Sequence, residues 1–437
     1  MHFRVKIKGF RAFRETGWVR VRPITLLIGE NSTGKTSFLA ALRYMLKALG
    51  STQSSSFNQE PFYLGAYDQI AHYRKGAAGR ARCFQFGIEF ENQNFLHRKE
   101  PLEKPVSLVM EFKSKSGQPV NTQIEARWNH ASVHAELGDV GTVEINDDGR
   151  AYKLSNTNDA IAPGVFRNLS LDTLRFVLTM APYFDAKEGR HAPFVRKAEQ
   201  LGRLLTDLGH ALDGRVKTSS PVRTRPERTY QPIEVLESAE GSDTPLLLAR
   251  MNATDKAGWA RIEEGISTYG KASGLFENIS IKRLGRSASD PFQIIVKGLG
   301  APANLIDVGY GVSQILPLLT DLLASTGPTV FLHQQPEIHL HPTAQAALGS
   351  LFGAVVKERH HTIVAETHSD YILDRLRMDI RDKKTIAPGD MMILYFSRNN
   401  SETEIHEIEI DENGMLIGTP PGYREFFIRE QMRSLWE

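Results

Sequence analysis

Residues 3–9 read Phe-Arg-Val-Lys-Ile-Lys-Gly, apolar and charged in alternation, which predicts a half-exposed strand. Trp18-Val19-Arg20-Val21 predicts a second strand. Pro23 then leads into Ile24-Thr25-Leu26-Leu27-Ile28, apolar and largely β-branched, the pattern of a strand buried on both faces. From Ser37 to Lys47 the apolar positions take helical spacing. A Ser-rich patch, 51–56, predicts a loop. Between about 81 and 156 strand patterns recur at Cys83–Phe90, Val106–Phe112, Thr122–Trp128 and Thr142–Asn146, with Gly, Asn and Asp clusters between them, so this stretch predicts an antiparallel β lobe. From about 170 to 275 the period turns helical, with Phe194–Leu205 amphipathic. From 290 onward strands and helices alternate as in a parallel sheet: Thr329–His333, Thr362–Ala365 and Met392–Phe396 predict strands, and Tyr423–Trp436 a closing helix. The expected class is α/β.

The 437 residues exceed what one small core needs, so two or three lobes are expected. A net charge of +2 excludes a polycation but leaves a local basic patch open. The single cysteine, Cys83, excludes an internal disulfide and a thiolate zinc site. There is no 18-residue apolar run, and the N-terminus carries no signal-peptide apolar block. The expectation is a soluble, cytoplasmic protein with no membrane partner.

The chemistry centres on Gly29-Glu30-Asn31-Ser32-Thr33-Gly34-Lys35-Thr36, a G-x-x-x-x-G-K-T phosphate-binding loop set between a predicted strand and a predicted helix. Backbone N–H groups and the positive end of the helix would face phosphates. Candidate nucleotide contacts are Gly29, Asn31, Ser32, Thr33, Gly34, Lys35, Thr36 and Ser37, with the Lys35 ammonium on the β- and γ-phosphates and the Thr36 hydroxyl on Mg²⁺. The bland alternative is a chance Gly-rich turn.

Four further segments fall in order behind it. Asp307–Gln314 is a Gly-rich loop opening the apolar helix that begins Ile315-Leu316. Phe331–Glu337 ends a strand, His339-Leu340-His341-Pro342 follows, and Glu366-Thr367-His368-Ser369 ends the next strand. Taken singly, the loop 309–314 fits any turn before a helix, and His368 fits a structural histidine. His339 and His341 lack the third ligand that a zinc site needs. Arg223, Arg225 and Arg228 interleave with two prolines and Tyr230. The favoured reading is a solvated linker, and the alternative is a surface for phosphates, nucleic acid or an acidic partner.

Together the segments resemble the ABC-type ATPases of the SMC/Rad50/RecF group. More closely, they resemble the small ATPases related to the overcoming-lysogenization-defect (OLD) nucleases, of the kind that serve as subunits of anti-phage systems such as Septu and PARIS. The resemblance covers about 1–70 and 300–437; no long heptad run is present. It implies an ATPase core in two halves; the element pattern sets these at 1–170, with the β lobe, and 291–437, separated by a helical insertion at 171–290. It implies ATP and Mg²⁺ as cofactors and a homodimer or higher oligomer in which two protomers sandwich the nucleotide. Gly311 and Ser313 would then meet the γ-phosphate of the opposite protomer, His368 would be the switch histidine, and Asp68 and Gln69 would fall near the Q-loop. A separate effector protein, a nuclease among the candidates, would be the partner, and nucleic acid binding stays open. The alternative is a RecF/SMC-like ATPase acting on DNA in repair or recombination.

One departure matters. The resemblance implies acids at the end of the 329–333 strand, one positioning Mg²⁺ through water and one serving the attacking water. This chain has Gln334 and Gln335 there. An amide orients a water but takes no proton. The expectation is that Gln334 (toward Mg²⁺, through water), Gln335 and His368 form a weak catalytic set, with Glu337 or Glu366 as displaced substitutes.

Overall fold

The computed structural model describes residues 1–50, 56–74, 79–91, 105–128, 131–136, 142–147, 150–155, 170–185, 192–233, 237–287, 289–298, 300–399, 402–421 and 423. The chain opens with β1 (Phe3–Phe10), β2 (Phe13–Val21), β3 (Ile24–Gly29) and α1 (Lys35–Gly50). Two short strands, β4 (Asn58–Gln59) and β5 (Phe62–Tyr63), and a single turn, α2 (Tyr67–Ile70), lead to β6 (Cys83–Phe90). Next come β7 (Val106–Lys115), β8 (Gln118–Trp128), β9 (Ala131–Glu136), β10 (Thr142–Asp147) and β11 (Arg150–Ser155). The helices α3 (Leu171–Asp185) and α4 (Ala192–Leu212) precede β12 (Val216–Ser219), α5 (Thr244–Thr254) and α6 (Lys256–Ser273). The last third carries β13 (Asn278–Arg283), β14 (Phe292–Lys297), β15 (Ala303–Asn304), α7 (Tyr310–Ala324), β16 (Val330–Gln334) and α8 (Pro342–Arg359). It ends with β17 (Thr362–Glu366), α9 (Asp370–Arg381), β18 (Met391–Asn399), β19 (Glu402–Ile410) and β20 (Leu416–Ile417).

These elements form two compact units. The first comprises Met1–Val21, Ser32–Val216 and Arg398–Glu404; the second comprises Arg22–Asn31, Lys217–Ser397 and Ile405–Glu437.

The first unit holds the antiparallel lobe, an eight-stranded sheet in the order β11-β10-β9-β8-β7-β6-β1-β2. Its edge is the N-terminal hairpin: β1 pairs β2 on one side and β6 on the other. Alternation along β1 and β2 predicts strands but carries no information about partners, so this joining was not legible. Phe3, Val5 and Ile7 point inward, while Lys6 and Lys8 point out to Glu15. Phe84, Phe86 and Phe112 meet Tyr44 of α1 and Phe57 in an aromatic cluster, with Phe84 and Phe112 stacked at 5.0 Å. β9 and β11 add two strands to the four expected. The inward residues of β9 include the small alanines Ala131 and Ala135, which weakens the period-two signal there.

The second unit is built on a seven-stranded sheet in the order β12-β16-β17-β3-β18-β19-β20. The run β16-β17-β3-β18 is parallel, and β19–β20 is antiparallel. Every residue of β16 and of β17 is buried, which is why each carries three consecutive apolar residues, Val330–Leu332 and Ile363–Ala365, rather than an alternation. Phe331, Ile363, Leu26 and Ile393 of the sheet share a core with Leu319 and Leu322 of α7, Leu348 and Phe352 of α8 and Leu373 of α9. The parallel pattern expected from residue 290 starts later. β13, β14 and β15 form a separate antiparallel sheet, closed by a Gly- and Ser-rich turn over 284–291 that favours a hairpin over a crossover. The expected closing helix falls outside the described residues apart from Tyr423, as does most of the Ser-rich patch. The fold is mixed α/β with an antiparallel β lobe, as the sequence predicts.

Candidate nucleotide site at the carboxyl edge of the parallel sheet

Parallel register brings the carboxyl ends of four strands to one edge. Gln334 lies beside Glu366, Glu366 beside Leu27, and Gly29 beside Phe396. In open α/β sheets this edge is where ligands bind. The phosphate loop leaves it at Gly29, whose φ of +145° and whose approach to β18 both demand glycine: a Cβ there would lie 2.2 Å from the Phe396 carbonyl oxygen. Glu30 and Asn31 are exposed.

The rest of the loop belongs to the first unit. Ser32 is left-handed, at φ +61°, and Gly34 has φ +100°, with Thr33 between them. Alternating hands turn successive backbone N–H groups toward one concavity, the geometry of an anion nest. Thr33 is buried, and its carbonyl accepts the Thr403 hydroxyl at 2.7 Å. A Cβ on Gly34 would come within 3.0 Å of the Phe13 ring. The Phe38 N–H closes on the Gly34 carbonyl at 2.9 Å, starting α1. Lys35 is buried while Ser32 and Thr36 are exposed at the helix start. The loop has the cradle that a phosphate chain needs.

On the second unit, Gln334 is buried as the last residue of β16. Gln335 then turns left-handed, at φ +43°, a sparsely populated conformation for a side chain of its kind. Its N–H donates to the Glu366 carbonyl at 2.7 Å, holding the turn against β17. Two residues on, Glu337 is only 8 % exposed. Its Oε1 accepts the His368 N–H at 2.7 Å, while its Oε2 is buried without a hydrogen-bond partner. Burial pushes this carboxyl above the usual range. The His368 and Glu337 backbone N–H groups, the Thr367 hydroxyl and the Arg223 charge oppose that rise without cancelling it. The His368 side chain is exposed, and the Thr367 N–H ties its loop to the Leu27 carbonyl of β3 at 3.2 Å.

Gly29, Gln334, Gln335 and His368 therefore converge on one edge with Glu366 and Glu337. Glu337, expected as a displaced substitute for the missing acids, is set against the His368 loop. The signal for it was available: a Pro336-Glu337 pair directly after the strand, where a tight turn returns the chain toward the sheet edge.

Gly311 and Ser313 lie in the first turn of α7, which Gly309 caps. Gly311 packs on the His339 carbonyl, where a Cβ would sit at 3.0 Å. The Ser313 hydroxyl is buried and donates to the Tyr310 carbonyl at 2.9 Å, so it is committed within the helix. Gly309 and Tyr310 are the exposed residues of this turn, and the Tyr310 ring meets the His339 ring edge-on at 4.8 Å. His341 caps α8, its Nδ1 accepting the Thr343 N–H. Among the described residues no cluster of three or more His, Cys, Asp or Glu is placed to hold a metal. In the first unit, Gln69 Oε1 accepts the Ala66 N–H at 3.0 Å, a local cap on α2.

The arginine segment is not a solvated linker at its first position. Arg223 is 2 % exposed, and its Nη1 donates to the Gln314 carbonyl at 2.8 Å. Its backbone N–H reaches Gln314 Oε1 at 3.2 Å. Arg228 makes a two-pronged bond to Asp307, at 2.8 and 2.6 Å, and Arg225 is exposed. Composition suggested solvent because arginines among prolines usually face it; tertiary hydrogen bonds to α7 override that preference.

A strand, a phosphate-binding loop and a helix, with the loop leaving the carboxyl edge of a parallel sheet, define a P-loop ATPase domain. The family described as AAA domain, putative AbiEii toxin, Type IV TA system (AAA_21) matches residues 24–374, and the chain belongs to it. Membership implies ATP binding. A curated relative, the DNA replication and repair protein RecF of Chloroherpeton thalassium, is 26 % identical over 110 residues, which cover 25 % of this chain and 30 % of RecF. The match thus spans about a third of that relative's length. Among solved structures, an Smc head bound to the C-winged helix domain of ScpA is similar with a TM-score of 0.48 at 12 % identity, over 94 % of this chain and 99 % of that one. The SMC head domain from Thermotoga maritima gives 0.40 at 13 %, over 93 % and 98 %. Among the described residues no helix is long and apolar enough to cross a membrane.

Proposed function

We propose that the protein is an ABC-type ATPase that binds ATP firmly, hydrolyses it slowly, and works as the nucleotide-held scaffold and sensor of an anti-phage defence complex controlling a separate effector. The observation that carries this is the make-up of the carboxyl edge. Two amides, Gln334 and Gln335, stand where acids are expected, and one buried carboxylate, Glu337, stands beside the His368 loop.

Lys35 neutralises the β- and γ-phosphates, and the N–H groups of residues 31–36 cradle them. Thr36 would hold Mg²⁺, which supplies charge neutralisation on the phosphate oxygens. Gln335 orients the attacking water. Glu337, its carboxyl raised by burial, takes the water's proton through Oε2, while Oε1 stays on the His368 N–H. Phosphoryl transfer depends mostly on positioning and electrostatics, so the missing carboxylates lower turnover without abolishing it. In the sandwich, Gly311 and Ser313 of a second copy contribute the α7 N-terminus to the γ-phosphate. The toxin–antitoxin wording of the family's description supports the defence setting and the separate effector.

The test sets ATP turnover beside ATP binding and dimer formation for the wild type, Lys35→Ala and Glu337→Gln. The reading expects lost nucleotide binding in Lys35→Ala and an ATP-held dimer in Glu337→Gln. Rapid wild-type turnover with no ATP-dependent dimer would sink it. The RecF match favours one other reading, an ATPase acting on DNA. ATP-tightened, salt-sensitive duplex binding would select it.

A further inference from the structure

Three buried polar groups of the second unit have capacity that no hydrogen bond uses. Arg223 Nε and Nη2, Glu337 Oε2 and His333 Nε2 are all buried without a partner. Groups left this way cost stability and persist in folded proteins where they serve a site. Arg223 is fastened to α7 three times: Nη1 on the Gln314 carbonyl, its N–H on Gln314 Oε1, and the Gln314 amide back on the Arg223 carbonyl at 3.5 Å. Gln314 lies one residue after Ser313, on the first turns of α7. Arg223 therefore moves with the loop before α7.

The charged and titratable groups that act on Arg223 are Glu337, Tyr269 of α6 and Asp321 of α7, and Arg223 itself acts on His333 of β16. Asp321 is already paired with Lys217 at 2.7 Å, the Tyr269 hydroxyl donates to the Ala344 carbonyl, and His333 is neutral. Glu337 is left as the carboxylate with an unspent oxygen, and the Arg223 charge acts on it with no hydrogen bond or ion pair between them.

We propose that Arg223 is a positioning residue that links the seating of the Gly309–Gln314 loop to the orientation of the Glu337 carboxylate, and through it to the His368 loop. This rests on the reading of Glu337 as the group that serves the water. Phosphate held at the α7 N-terminus shifts Gln314, Gln314 carries Arg223, and the guanidinium turns Oε2 toward the attacking water. Turnover then waits for both faces of the sandwich to close.

The experiment measures ATP affinity, kcat and its pH profile, and melting temperature for the full chain carrying Arg223→Gln, Arg223→Lys or Glu337→Gln. The expected result for Arg223→Gln is near-normal ATP affinity and kcat lowered by about tenfold or more, as for other groups that orient a reactive ligand. The acid limb of its profile should move up by about half a pH unit or more, because Glu337 has lost its cation. Arg223→Lys, which keeps the charge, should recover much of the rate and return the limb. Wild-type kcat and limb in Arg223→Gln would overturn the proposal. So would equal losses in both arginine variants that merely track melting temperature. If Arg223→Gln fails to fold, Arg223→Met, which keeps the apolar stem and drops the charge, takes its place: an unmoved kcat and acid limb in it refute the link. If Glu337→Gln turns over normally, the underlying reading of Glu337 fails; if it is inactive while both arginine variants are normal, only the link fails.

Discussion

Glu337 Oε1 accepts the backbone N–H of His368 at 2.7 Å, joining the turn after β16 to the loop after β17. The bond fixes one carboxylate oxygen and leaves Oε2 without a hydrogen-bond partner, the oxygen that takes the water's proton in the proposed function. In Glu337→Gln the amide oxygen can keep the His368 bond, so folding should be nearly unchanged while the proton acceptor is gone. Turnover should fall by about a hundredfold, the usual worth of a general base, with ATP affinity retained. Phosphate release and a thermal melt on the same sample check this. A variant that hydrolyses like wild type would assign the water to another residue, Glu366 first.

Gln334→Glu tests the opposite direction. It restores a carboxylate at the strand end, where it can support Mg²⁺, so turnover should rise by about tenfold or more. It also places a buried carboxylate beside Glu366, its register partner on β17, and like charges in neighbouring strands repel. Stability in the absence of nucleotide should therefore drop by about 1 kcal/mol and recover with Mg-ATP. Unchanged turnover would mean that the glutamine at 334 does not limit the rate.

Much of this edge was legible in the sequence, because each strand ends in a motif with its own chemistry and parallel pairing sets the ends side by side. The strand–loop–helix around Lys35 and the buried strands at 330 and 362 stand as periodicity predicts. What escaped was tertiary. Arg223 sits among prolines and looks solvated until Gln314 is found holding both its backbone and its side chain. Ser313 looks like a free hydroxyl at a helix start until its bond to Tyr310 appears. The membership of β1 and β2 in the β lobe depends on pairing, which alternation does not encode.

Gly29 offers a purely structural check on the phosphate loop. Any side chain there meets the Phe396 carbonyl oxygen at 2.2 Å and must also hold a φ of +145°. Gly29→Ala should cost more than about 2 kcal/mol, since both strain and overlap act on the central strand. Urea unfolding would show it as a lowered midpoint with nearly unchanged slope. A midpoint equal to wild type would mean that β3 and β18 separate more easily than their register implies.

The acid side of the stability profile should carry the signature of two buried histidines. His333 stacks between Phe331 and Phe352, with Nδ1 on the Ser219 hydroxyl at 2.8 Å, and burial with the nearby Arg223 charge pulls its pKa down to about 3. His361 accepts the Thr329 N–H on Nδ1 and faces the Leu322 carbonyl with Nε2, an arrangement that suits the neutral ring, and burial lowers it to about 4. Both titrate near 6.5 when unfolded. Above that pH neither state takes the protons, and the stability from keeping the rings neutral is fully present. Below it the unfolded chain binds two protons that the folded chain refuses, so stability falls as pH drops from about 6.5 toward 4, by about 1.4 kcal/mol per pH unit for each histidine. Urea midpoints at pH 7.5 and pH 5 should differ accordingly. His333→Phe should lower stability at both pH values, since the Ser219 hydroxyl loses its partner, yet flatten the pH dependence by about one proton. Midpoints that agree at the two pH values in the wild type would show that these rings are protonated in the folded protein.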